Sequence, residues 1–142
     1  MNLRSRSFAQ LFAALWYLAS MSASHASCDL RSAAQVESVH ALPPSLAAIL
    51  GTSLPGPGGI ADRGGPFNRT DVIREPLPMR RFHIAAVTPE CVVVAFEQGG
   101  RGYSMQIVTF MYGPPDGWIP EQPKVIERLP KSLAELRAAI ER

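Results

Sequence analysis

The chain has 142 residues, and 14 Lys+Arg against 12 Asp+Glu give it a formal charge of +2. Two of the basic residues, Arg4 and Arg6, fall in a leader-like segment of 26 residues; the remaining 116 carry 12 charges of each sign and no net charge. That balance excludes a mainly electrostatic attachment to nucleic acid or to an anionic membrane. All 13 Pro and all 11 Gly lie in those 116 residues. They make up about a fifth of the segment, below the roughly 25–30% of low-complexity chains. One small, loop-rich domain over 27–142 is the expected organisation.

Residues 1–26 read as a cleaved secretory signal. Arg4 and Arg6 supply the positive region, and 8–19 (FAQLFAALWYLA) are apolar apart from Gln10. Small residues follow, and Ser24-His25-Ala26 places small side chains at −3 and −1 of a cut between Ala26 and Ser27. Twelve apolar residues fall short of the roughly 20 needed to span a membrane, so no transmembrane segment is expected after processing. The expected location is periplasmic or secreted. Twelve Arg against two Lys lean toward a GC-rich bacterial genome.

Cys28 follows the cut closely, which raises lipidation as an alternative. A lipoprotein would usually carry Leu three residues before that cysteine, where His25 stands. Cys28 and Cys91 are the only cysteines. An even count in an exported chain points first to a disulfide. Cys91 opens the apolar run CVVVAF, a poor setting for an activated thiolate.

In chain order, 28–42 mixes strand alternation (Val36, Ser38, His40) with helix-favouring Ala33-Ala34-Gln35. Pro43-Pro44 ends it, and 45–50 predicts a short helix with Gly51 at its C-terminal cap. Residues 51–66 (GTSLPGPGGIADRGGP) predict a mobile surface loop or a partner-binding loop. They form neither a Walker loop nor a dinucleotide fingerprint. Strands are expected at 70–73, at 79–87 (MRRFHIAAV), at 91–98 (CVVVAFEQ) and at 103–112 (YSMQIVTFMY). Thr88-Pro89-Glu90 and Gly99-Gly100-Arg101-Gly102 serve as tight connections. The 91–98 strand is apolar on both faces and should be central. Residues 113–117 are a hard stop, followed by a Pro-punctuated stretch to Pro130. Ser132 and Glu135 form a capping box, and Leu133, Leu136 and Ile140 make one apolar stripe on a terminal helix. The expected fold is α+β: a meander of about four antiparallel strands, the C-terminal helix on one face and short helical material nearby.

Chemistry-bearing patterns are sparse. His40 and His83 show no zinc spacing, so no metal and no cofactor is expected. No nucleophile elbow occurs, and Ser104 sits in a strand. Glu97 and Asp71 are the plainest carboxylates, and Glu97 reads as a solvated edge charge. No catalytic residue is expected. Arg80-Arg81-Phe82-His83 is the densest polar–aromatic cluster, with Arg81 and His83 on one strand face. It reads as a charged guard on an edge strand or as an anchor for an acidic partner, extended by Arg101 and Tyr103. Trp118 is either a lid over the core or a partner anchor. Asn68-Arg69-Thr70 matches a glycan acceptor. The expectation is an exported, non-catalytic recognition module, inhibitor-, immunity- or envelope-accessory-like, binding a protein or envelope component. A structural or stress-related envelope component and a small hydrolase using a carboxylate or histidine are the alternatives.

Overall fold

The computed structural model describes residues 27–115 and 117–142. The expected leader, with Ala26, lies outside the described residues, as does Asp116. The described residues form seven strands and two α-helices. In order these are β1 (Ala34–Val36), a 3₁₀ turn (Val39–Ala41), α1 (Pro44–Leu50), a second 3₁₀ turn (Gly56–Gly58), β2 (Ile60–Ala61), β3 (Arg80–Val87), β4 (Cys91–Gln98), β5 (Ser104–Gly113), β6 (Gly117–Pro120), β7 (Lys124–Ile126) and α2 (Leu133–Ile140). All belong to one sheet ordered β1-β3-β4-β5-β6. The short β2 pairs with β3 in parallel, and β7 pairs with β5 beside β6. Among the described residues no helix is long and apolar enough to cross a membrane.

The meander β3-β4-β5 is the backbone of the fold, as its β-branched runs and short turns require. β4 is its centre. Val92, Val94 and Phe96 enter a cluster with Leu46 and Leu50 of α1 and with Phe82. Cys91, Val93 and Ala95 enter another with Leu136 of α2, Ile84 and Ile107. Each face of one strand therefore supports its own core. Each fully buried Val or Phe contributes roughly 1.5–3 kcal/mol over an exposed one.

The helix ends follow their local chemistry. Gly51 takes the left-handed conformation at the end of α1. The Ser132 hydroxyl accepts the Glu135 amide at the start of α2, and the Glu135 carboxylate reaches back to the amide of Lys131. Cys28 and Cys91 form a disulfide with a Cα separation of 5.7 Å. It pins the first described residues onto the α2 face and indicates an oxidising compartment.

Several expectations are corrected. Residues 70–72 form bends and Ile73 is irregular, so there is no strand at 70–73. The Asn68 side chain captures the backbone around them: its Nδ2 donates to the Arg74 and Leu77 carbonyls, and its Oδ1 accepts the Arg74 amide. The glycine-rich 51–66 segment is not a loose excursion. It holds a 3₁₀ turn and β2, and the half-buried Arg80 guanidinium ties it to α1 by donating to the carbonyls of Leu50 and Gly58, each at 2.9 Å. Asp62 anchors its far end by accepting the Val39 amide and the Ser38 hydroxyl, both at 2.8 Å. β3, which carries Arg81 and His83, is an interior strand between β1 and β4 rather than an edge. The Pro-punctuated stretch supplies β6 and β7 at the sheet margin, where a missing N–H is tolerated.

Candidate recognition surface

Arg81 and Glu97 face each other directly across β3 and β4. A register shift between Phe82 and Ile84 marks a bulge at His83. Such a bulge re-aims the side chains of the strand that carries it. Phe82 stays with the α1-side core, while His83 comes under the field of Arg81, Glu97 and Arg63.

Glu97 is 4% exposed, which overturns its reading as a solvated edge charge. Both carboxylate oxygens are engaged. Arg81 Nε donates to Oε2 at 2.7 Å, and the Tyr103 hydroxyl donates to Oε1 at 2.7 Å. Burial alone would raise the Glu97 pKa. The hydrogen bonds from Arg81 and Tyr103, with the charges of Arg81 and Arg69, outweigh burial and hold it below the usual carboxylate range. Burial, then the bond to Glu97, pushes the Tyr103 hydroxyl up. Burial, aided by Arg63 and Arg81, pushes His83 down against the opposing pull of Glu97 and the Pro130 backbone. Its buried Nε2 has no hydrogen-bond partner among the described residues.

Two guanidinium–aromatic stacks extend the cluster. Arg81 lies 4.5 Å from the Phe67 ring centroid and Arg69 lies 4.7 Å from that of Tyr103. Arg63 pairs with Glu37 at 2.9 Å. Arg69 has no carboxylate within ion-pair distance among the described residues. Stacking fixes its side chain without neutralising it.

Beside this cluster the chain makes a closed loop. The Asn68 amide donates to the Pro78 carbonyl at 2.8 Å, so the ends of 68–78 meet. Asn68 is 3% exposed, and its side chain makes three hydrogen bonds to the loop's own backbone. A Cβ at Gly99 would stand 1.7 Å from the Asn68 carbonyl oxygen, so only glycine lets the β4–β5 hairpin approach this closely. The loop projects Val72, 69% exposed, and Ile73, 46% exposed. Asn68 and Arg69 were expected only as part of a glycan-acceptor pattern, and Val72 and Ile73 only as part of a strand; none was expected at a recognition surface. Their signal was present: two apolar β-branched residues in a mostly polar stretch between Pro66 and Pro76, four and five residues after an asparagine.

The structure thus brings Arg81, His83 and Tyr103 together around Glu97. Arg101 is exposed at the hairpin tip, two residues before Tyr103. Trp118 does not join them. It packs against the α1-side cluster, donates from Nε1 to Ser45 Oγ at 3.1 Å and meets Tyr112 edge-on at 5.1 Å. No group of three or more His, Cys, Asp or Glu converges as a metal site among the described residues. Comparison with family models, with curated proteins and with solved structures finds no match.

Proposed function

We propose that the protein is an exported, non-catalytic recognition module, periplasmic or secreted, that binds a macromolecular partner through the 68–78 loop and the adjoining Arg69–Tyr103 stack. One observation carries this reading. A buried asparagine holds a loop in place, and that loop presents two apolar side chains to water. Exposed apolar groups on a mobile loop would lose much of their binding energy to ordering; on a fixed loop they do not. The flanking Arg69 suits a partner with an apolar pocket rimmed by carboxylates. The engaged state of Glu97 supports the non-catalytic part, since a general base needs a free oxygen directed at substrate.

The test is affinity capture from the envelope and extracellular fractions of the source cell, followed by quantitative binding of whatever is retained. Wild type should retain a partner that Val72→Asp/Ile73→Asp and Arg69→Glu release. A partner held equally by these variants, or none held by wild type, refutes the proposal.

A further inference from the structure

A second surface, independent of the first, lies on the margin of the sheet. A cleft of about 470 Å³ runs between β7 and α2. Residues 124–128 all line it, consecutively. Side chains on one face of a strand would contribute only every second residue. The cleft therefore follows the strand's hydrogen-bonding edge, and that edge is open: β7 pairs with β5 on one side and, among the described residues, with no strand on the other. The opposite wall is helical and shallow, with Ala134 and Ala138 one turn apart. Their methyl groups leave room for the side chains of an added chain.

Charge selects the occupant. Lys124, Arg128 and Arg142 border the cleft, and none forms an ion pair among the described residues. Of the two nearby acids, Glu135 is already turned toward the Lys131 amide. Lys124 and Ile126 alternate along β7, and Arg128 stands in the bend just past its end, so an added strand running beyond β7 would set one position opposite Lys124, another beside Arg128, and the one between them opposite Ile126, toward the alanines.

We propose that this cleft binds an extended acidic peptide segment of a partner protein by strand addition to β7, with carboxylates four residues apart and an apolar residue midway. Backbone hydrogen bonds to the open edge hold the segment, and Lys124 and Arg128 choose it.

The probe is the blocked pentapeptide Asp-Thr-Val-Thr-Asp, titrated into the protein obtained by exporting the full chain. The readout is amide chemical shift and fluorescence anisotropy. Shifts should be confined to 124–128 and 134–142. The Lys-Thr-Val-Thr-Lys peptide should not bind, and N-methylation at alternate residues should abolish binding in one of the two registers. Lys124→Glu/Arg128→Glu should weaken binding about tenfold or more, in line with loss and reversal of two cross-strand charge pairs. Ala138→Leu should block the cleft, and the charge variant serves if that one does not fold. Equal binding of the basic peptide, indifference to N-methylation in both registers, shifts centred on 69–73, or no shift at all would overturn the proposal. Decanoate producing the shifts while the peptide does not would instead assign the cleft to an anionic amphiphile, and would equally overturn it.

Discussion

The two faces of the sheet are stabilised by different physics. On the α1 face, Phe82, Leu46, Val92 and Val94 form an apolar cluster that contains no titratable side chain. On the α2 face, a smaller apolar cluster shares the sheet with the Cys28–Cys91 disulfide and the Arg81–Glu97–Tyr103 network. Burial closes most of the first face, with Arg80 and Asp62 fastening its margin to backbone groups, whereas the second combines burial with a covalent bond and paired charges. The first should therefore ignore reductant and feel pH only in acid, where Asp62, which burial would raise but the Val39 amide and Ser38 hydroxyl hold below the usual carboxylate range, takes up its proton; the second should respond to both.

The largest effect expected is on the apolar face. Phe82→Ala should cost roughly 3–5 kcal/mol in urea denaturation, by lost transfer energy and the cavity left behind. Replacing both cysteines by alanine should cost about 4 kcal/mol in the chain-entropy model. Amide exchange should then rise first at the N-terminal segment and α2, while α1 stays protected relative to the global limit. Uniform loss of protection over both faces would break the comparison. Arg81→Met strands Glu97 and should cost about 1.5–3 kcal/mol; Arg81→Met/Glu97→Gln should recover part of it.

The pH dependence has a defined sign. His83 titrates below its ordinary 6.5 when folded, so the unfolded chain binds the proton more readily. Stability is full above 6.5 and falls as pH drops below it. Glu97, held below 4.5, adds a second loss as pH falls beneath that value. His83→Gln should remove the first loss and leave the second; thermal melts from pH 8 to 3 in steps of ~1 unit resolve the two. The smallest expected effect is that of Val72→Asp/Ile73→Asp, within about 0.5 kcal/mol of wild type for exposed positions. A larger loss would show that the loop tip supports the fold instead of a partner.

Legibility followed the size of the local signal. β3, β4 and β5 announced themselves by eight to ten residues of β-branched and aromatic alternation. The start of α2 was written in Ser132 and Glu135, and the disulfide in the cysteine count. β1, β2, β6 and β7 are two to four residues long and owe their extended form to neighbours in the sheet, which no local pattern encodes. Residues 70–73 misled for the converse reason. Val72 and Ile73 favour a strand, but the Asn68 side chain claims the nearby backbone groups first. Strand alternation gave Arg81 and His83 a shared face, but the bulge at His83 breaks that alternation and puts Phe82 and Ile84 on opposite faces, while the burial of Glu97 depended on Tyr103 folding back from the hairpin. Arg101 was joined to them by its place at the hairpin tip, Trp118 was a separate candidate, and the sheet separates Trp118 from the rest.

The tightly enclosed Asn68 bears on how the protein is produced. Asn68-Arg69-Thr70 fits the acceptor rule of oligosaccharide transfer, yet the folded amide has no room or free N–H for a sugar. Production in a host that glycosylates during translocation would set glycan attachment against closure of the loop, and modified molecules would leave the cell misassembled or not at all. Thr70→Ala erases the acceptor while keeping the asparagine, and is the substitution to make before any such expression is tried.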